Sequence, residues 1–331
     1  MWNWNKKAAL AGVMAVGGVL SGANAMSAEA DGYPTRAVNL IVPFAPGGGV
    51  DLMARYISKK LEGRLGQPVV VENKPGAGAA IGTAVVARAR PDGQTLLFTS
   101  VAHAINPGFY PNLPFDALKD FAPVAPVATA PNGIAARADA PFNTLPEMMA
   151  YAKAHPDKLT YGAISGSTTM YLGMAMFVKE ANLPIRFIPY AGTPASVQAA
   201  VAGEVDMVSS GYASADTFAK TGRLKMLAIS TASPSAMAPG IPTIAEAAHL
   251  PGFEVVNWMG ILAPAHTPAP IVERLNREIR AILDDPESGK FFEVQKNERL
   301  YGSSEEFRKL IASDIQRYGK IIEETGAAKQ K

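Results

Sequence analysis

Val38-Asn39-Leu40-Ile41-Val42-Pro43-Phe44-Ala45-Pro46-Gly47-Gly48-Gly49-Val50-Asp51 is the stretch on which the reading of the fold turns. The apolar run from Val38 to Phe44 predicts a strand, and Pro46-Gly47-Gly48-Gly49 breaks it. Asp51 then opens a helix whose apolar positions Met53, Ile57, Leu61 and Leu65 recur every four residues, until Gly66 and Pro68 end it. Working outward, Pro68 to Val71 reads as a second strand, Ala79 to Ala89 as a helix, and Leu96 to Thr99 as a third strand. Strand and helix alternate, which predicts α/β layers with largely parallel sheets.

The proline-rich stretch 107–131 suits a crossover between lobes rather than a helix. A second alternating unit follows it. Thr144 caps a helix to about Ala154, and Leu159 to Ala163 is a strand. After the polar loop Ser165-Gly166-Ser167-Thr168, Met170, Met174, Phe177 and Val178 mark one helical face. Ile185 to Pro189, Val205 to Val208 and Leu224 to Ser230 are further strands, with a helix from Ala191-Gly192-Thr193-Pro194 to Gly203 between the first two. The tail carries two capping boxes, Thr243-x-x-Glu246 and Ser303-x-x-Glu306, around a strand from Trp258 to Ala263 and a helix from about Pro270 to Leu283.

The N-terminus has a separate meaning. Lys6 and Lys7 precede an apolar run from Ala8 to Leu20 and the small-x-small site Ala23-Asn24-Ala25, the pattern of a secretory signal peptide over residues 1–25. The run is too short to span about 30 Å of hydrocarbon, and no cysteine offers a lipid attachment point. Lys6 and Lys7 account for the net charge of +2, leaving 29 basic and 29 acidic residues. That balance argues against nucleic acid as a partner. The absence of cysteine excludes disulfides and thiolate metal sites. A soluble, exported, two-lobed protein is expected, with lobe 1 formed by 26–124 plus 230–331 and lobe 2 by 125–229.

Two loops share a design that suits an anion. Phe44-Ala45-Pro46-Gly47-Gly48-Gly49-Val50-Asp51 and Ser165-Gly166-Ser167-Thr168 each join the carboxyl end of a strand to a helix start. Ligands of open α/β sheets bind outside those ends, where unpaired N–H groups and the helix dipole favour a carboxylate. Neither loop carries Lys or Arg. A micromolar site needs about 8 kcal/mol. Two helix ends supply up to ~4 kcal/mol, and a few charge-assisted hydrogen bonds at ~1.5–3 kcal/mol each supply the rest. Asp51 is read as a capping residue in preference to a ligand contact. His103, following the third strand, and Tyr190, Gly192 and Tyr212, at strand ends, are further candidates for the cleft. The four histidines have no metal-ligand spacing, so neither a metal nor a cofactor is expected.

Gly76-Ala77-Gly78-Ala79-Ala80-Ile81-Gly82 approaches the dinucleotide fingerprint and supports an alternative, a secreted nicotinamide-dependent oxidoreductase. Glu72-Asn73-Lys74-Pro75 lengthens the turn before the glycines, and no second strand ends in an acid about twenty residues on. Glycine-assisted helix–strand packing is the favoured reading.

The chain resembles the Bug family of periplasmic solute-binding proteins, the TctC-like receptors of tripartite tricarboxylate transporters. The matching residues run along most of it: Tyr33-Pro34, Ile41 to Gly48 with Asp51 and Ala54-Arg55, Val70 to Gly78, Pro91 to Leu97, Pro189-Tyr190-Ala191-Gly192, Pro242 to Glu246, and Trp258 to Pro264. The resemblance implies a type II Venus-flytrap fold, docking on a permease pair, and a ligand carboxylate held by the Gly47–Asp51 and Ser165–Thr168 loops. Family members usually place two hydroxyl residues before the aspartate, where this chain has Gly49 and Val50. A less polar ligand follows as an expectation: an aromatic carboxylate or dicarboxylate, captured by a monomeric, non-enzymatic receptor.

Overall fold

The computed structural model describes residues 32–329, so the signal-peptide segment lies outside the described residues. In chain order the main elements are β1 (Val38–Val42), α1 (Gly49–Leu65), β2 (Val69–Asn73), α2 (Ala80–Ala87), β3 (Thr95–Ser100), α3 (Ala102–Phe109) and β4 (Phe121–Arg137). Then come α4 (Leu145–Ala154), β5 (Thr160–Ile164), α5 (Thr169–Glu180), β6 (Arg186–Tyr190), α6 (Thr193–Ala202), β7 (Met207–Gly211), α7 (Tyr212–Ala219) and β8 (Leu224–Ile229). The tail supplies α8 (Ile244–Ala247), β9 (Val256–Pro264), α9 (Ala269–Asp284), α10 (Pro286–Val294), β10 (Glu298–Arg299) and α11 (Ser304–Thr325).

One curled sheet runs β2-β1-β3-β9-β4-β7-β5-β6, with β8 and β10 also paired to β4. At its two ends β2-β1-β3 and β6-β5-β7 are parallel, as alternation of strand and helix demands. The centre departs from the parallel expectation: β9 is antiparallel to β3 and β4, and β4 is antiparallel to β7 and β8. The reason is that β4 and β9 carry the chain between the halves in opposite directions. From Phe121 to Pro131, β4 pairs β9; from Asn132 onward it pairs β7, while β8 joins from Gly133. Asn132 ties the passage together, donating from Nδ2 to Val255 O at 2.9 Å and from its amide to Ser230 Oγ at 3.1 Å.

The stretch 107–131, expected to be non-helical, opens with the last residues of α3, which accommodates Pro107, and runs into the 17-residue β4, which holds Pro123, Pro126 and Pro131. Proline lacks a ladder donor and is confined to edges and bulges. Here the register slips between Pro123 and Ala125 and again between Pro126 and Ala128. Each slip absorbs a proline.

Helices cover both faces. Met53, Ile57, Leu61 and Leu65, the predicted stripe of α1, are buried with Leu275, Ile279 and Leu283 of α9 against one side of β1 and β3. Each such side chain contributes about 1.5–3 kcal/mol. On the other side a core containing Leu97, Ile105, Met148, Leu172, Phe177 and Ile311 continues from the first half into the second. Met174 and Phe177 are core residues, and both capping boxes close with reciprocal hydrogen bonds.

Candidate functional site

The carboxyl ends of β1 and β2, and of β5, β6 and β7, lead into turns or helix starts, and the way the helices are capped divides them. α4, α5, α8, α10 and α11 begin with Thr144, Thr168, Thr243, Asp285 and Ser303, each of which accepts a backbone N–H through its side chain. Helices α2, α3 and α9 begin behind Ala79, Val101 and Pro268 without a side-chain cap, and α1, α6 and α7 begin behind glycines, Gly48, Gly192 and Gly211, likewise with none. A helix start leaves its first amides without intrahelical partners. Three of the helices that follow strand carboxyl ends therefore present bare donors.

The loop before α1 is held by Asp51. Its side chain is 1 % exposed, accepting from Gly47 N at 2.8 Å, Arg55 Nε at 3.0 Å and Asn73 Nδ2 at 2.8 Å. Burial pushes this carboxyl up, but the hydrogen bonds from Arg55, Gly47 and Asn73 prevail and hold it below its ordinary range. Asp51 is not the helix cap that was expected: Gly48 holds the cap position without a side-chain bond, and Asp51, inside the first turn, reaches back to the loop amide of Gly47. Arg55 is committed to this buried acid. Phe44 and Val50 are half-buried, whereas Ala45, Gly47, Gly48 and Gly49 are exposed. Lys74 pairs with Glu72 at 2.6 Å, so the two cations near this edge are both engaged by acids.

In the second loop Thr168 spends its hydroxyl locally, accepting from Tyr171 N at 3.3 Å and donating to Ile164 O at 3.0 Å. Ser165 is exposed, Gly166 has a positive φ of 90°, and Ser167 is buried. What covers Ser167 is the turn after β2: a Cβ on Gly78 would lie 2.7 Å from Ser167 Oγ and 2.8 Å from Tyr110 Oη. The two halves of the sheet therefore meet edge to edge through their loops.

Other expected site residues lie elsewhere. His103 is enclosed, donating from Nε2 to Ala117 O at 2.7 Å and packed against Phe115 and Phe121. Burial lowers its pKa to about 4. The turn after β3 leads straight into α3, which rotates His103 into the core and away from the sheet edge. Tyr190 is half-buried at the end of β6 and packs over Gly162. Tyr212 is buried, bonds Asp216 within α7 at 3.1 Å, and lines a cavity of about 550 Å³ with Asn143, Lys225 and Pro239.

The Gly76–Gly82 turn is filled by protein. Gly76 abuts Ile81, Gly78 abuts Ser167 and Tyr110, and a Cβ on Gly82 would lie 2.7 Å from Lys74 O and 2.9 Å from Pro43 Cβ. That is close packing of helix on strand, and it leaves the glycines no open approach for a dinucleotide. Gly76, Ala77, Gly78 and Ala79 all have positive φ, at a cost of roughly 1–2 kcal/mol for each alanine. Sequence reasoning missed Asn73 and Asn106, which clamp the loops through Asp51 and through Gly78 O at 2.7 Å. No spacing marks them, because their partners come from other elements.

Residues 53–327 match the model of the tripartite tricarboxylate transporter family receptor. The chain belongs to this family. It is 36 % identical over 294 residues, 89 % of this chain and 88 % of the relative, to the UPF0065 protein in the tcbD-tcbE intergenic region of Pseudomonas sp. strain P51. It is 32 % identical to protein BugT of Bordetella pertussis over 301 residues, 90 % of this chain and 92 % of the relative. Among solved structures, the periplasmic binding protein BugD superposes with a TM-score of 0.76 at 31 % identity, covering 89 % of this chain and 99 % of BugD. An R. palustris protein with adipate superposes with a TM-score of 0.79 at 28 % identity, covering 89 % and 98 %. A Rhodopseudomonas palustris MatC with bound malate gives 0.75 at 30 % identity, covering 88 % and 100 %. The fold is the bilobal α/β fold of periplasmic binding proteins, and family members are solute-binding receptors. The nicotinamide alternative has no support among these relatives. Among the described residues no helix is long and apolar enough to cross a membrane, and no acid or histidine cluster is arranged to hold a metal.

Proposed function

We propose that this receptor captures a small organic carboxylate between the facing loop edges of its two sheet halves and delivers it, as a soluble periplasmic monomer, to the permease subunits of a tripartite tricarboxylate transporter. The observation that carries the reading is the set of glycine-capped helix starts at Gly48, Gly192 and Gly211. A carboxylate is the cap those amides lack, and it takes the place that Thr or Ser fills elsewhere in the molecule. Adipate and malate in the relatives' structures agree with that chemistry.

The lobes are 26–124 with 230–331, and 125–229, joined by β4 and by the return of the chain at the end of β8. Closure of the lobes sequesters the ligand, with a free-energy change limited by its preference for the closed form. Capture and release require no bond-making step, so the protein acts as a receptor and not as an enzyme. Gly49 and Val50 offer no side-chain hydroxyl to the ligand, which favours a less polar or aromatic dicarboxylate over citrate or an amino acid.

Calorimetric titration of the purified mature protein with malate, adipate, citrate, aspartate and aromatic dicarboxylates tests both levels. Binding of at least one carboxylate is expected, with the less polar acids ahead of citrate. Tight binding of citrate alone would defeat the ligand preference. Silence across the panel, with no organic anion in a mass spectrum of the co-purified material, would defeat the carboxylate reading.

A further inference from the structure

Gly78 and Ser167 belong to different halves of the sheet, one in the turn between β2 and α2 and the other in the loop between β5 and α5. Their contact leaves no room for a side chain at Gly78, since a Cβ there would sit 2.7 Å from Ser167 Oγ, 2.8 Å from Tyr110 Oη and 3.1 Å from Tyr110 Cε2. Ser167 is 6 % exposed although Ser165, two residues earlier in the same loop, is exposed. The turn is also held from behind. Asn106, 1 % exposed, donates from Nδ2 to Gly78 O at 2.7 Å, and Thr83 Oγ1 donates to Ala79 O at 2.8 Å. Four consecutive residues with φ of 130°, 46°, 60° and 80° persist there because the surroundings over-determine them. A strained, braced surface with a vacant Cβ position is what a partner loop needs in order to seat closely.

We infer that the Gly76–Ala79 turn is a latch: Gly78 is the seat on which Ser167 closes, and this contact sets the balance between open and closed forms. The inference rests on the reading that the two halves close on a solute. Apparent affinity scales with the fraction of protein in the binding-competent form. Losing the seat at Gly78 therefore weakens capture by lowering the closed population. Tyr110, whose hydroxyl approaches the same point, forms the wall of the seat.

The test uses the full mature chain. The protein contains no cysteine, so Lys59→Cys and Glu204→Cys place one spin label on an exposed position of each half. Inter-label distances are measured without ligand by pulsed electron resonance. In the parent a short-distance population is expected. Gly78→Ala, and Ser167→Leu, which enlarges the same contact from the opposite side without altering the strained turn, should each deplete it. For Gly78→Ala, which lies outside both ligand-holding loops, the apparent Kd for whichever carboxylate the parent binds should rise about tenfold in step with that depletion. A parent with only the long distance, or two folded variants with the parent's distribution, would overturn the latch. Because the distances are read without ligand, they decide the latch by themselves. Silence of the parent across the whole carboxylate panel counts against the carboxylate reading alone.

Discussion

Asn73, the last residue of β2, donates from Nδ2 to Asp51 Oδ1 at 2.8 Å, and the same amide reaches Phe44 O at 3.1 Å. One side chain thus pins both ends of the loop that leads into α1. Because Arg55 donates to Asn73 Oδ1 at 2.9 Å as well as to Asp51, the three side chains form a closed ring of hydrogen bonds beneath the bare amides of Gly49 and Val50.

Asp51→Asn should cost about 2 kcal/mol of stability by weakening charge-assisted bonds and should weaken carboxylate binding by releasing the loop. The folded-state pKa of Asp51 is depressed below 3.8, so its stabilising contribution is fully present above about pH 4 and is lost as pH falls through the folded value. Thermal melts from pH 7 to pH 3 should show this acid limb in the parent and a flatter one in the variant. Equal limbs would count against the assigned role.

Gly48→Asp should trade binding for stability. The backbone at Gly48 has φ −77° and ψ 164°, which any residue adopts, and a Cβ there would lie no closer than 3.7 Å to Ala45 O. The new carboxylate caps α1, which raises stability by about 1 kcal/mol, and occupies the amides meant for the solute. A higher Tm together with at least a tenfold loss of affinity is the expected pair of readings. A higher Tm with unchanged affinity would remove the start of α1 from the site.

His103 makes a different prediction. Burial lowers its pKa from 6.5 to about 4, so the neutral ring is favoured on folding. Its contribution is present above pH 6.5 and is lost as pH falls from 6.5 towards about 4, amounting to roughly 2 kcal/mol by pH 5. His103→Gln should flatten that part of the stability profile and leave carboxylate affinity at pH 7 unchanged. A selective loss of affinity with an unaltered profile would return the histidine to the ligand.

Asp314 is buried beneath Trp258, whose Nε1 donates to its Oδ2 at 2.7 Å. Burial raises its pKa above 3.8 despite that bond and the nearby Arg317. For an acid this sign means that folding favours the protonated form, so stability falls as pH rises through the unfolded value towards the folded one. Asp314→Asn keeps an acceptor for Trp258 and removes the buried charge. It should be neutral or stabilising at pH 7, whereas Trp258→Phe should destabilise by several kcal/mol through lost packing and an orphaned carboxylate. Paired melting curves at pH 7 distinguish the two.

Period and punctuation made the alternating units legible. The stripe Met53, Ile57, Leu61 and Leu65 is buried on one side of the sheet, Gly66 takes the left-handed conformation that ends α1, and Thr144, Thr243 and Ser303 cap the helices assigned to them. Those features depend on residues within a turn or two of one another. Helix α7 and the antiparallel centre of the sheet were not legible, nor was the path of β4 through three prolines, because bulges and crossing direction depend on partners far along the chain.

The sequence by itself determined the helices whose caps are side chains, Thr144, Thr243 and Ser303 among them, since capping is a local choice of side chain. Only the tertiary structure decided what those choices face. It turned His103 into the core, tied Asp51 to Asn73, and seated Ser167 on Gly78. The physical reason is that hydrogen-bond direction and steric contact act over a few ångströms in space, whereas residues 78 and 167 are joined only through the crossover strand that brings two sheet edges together.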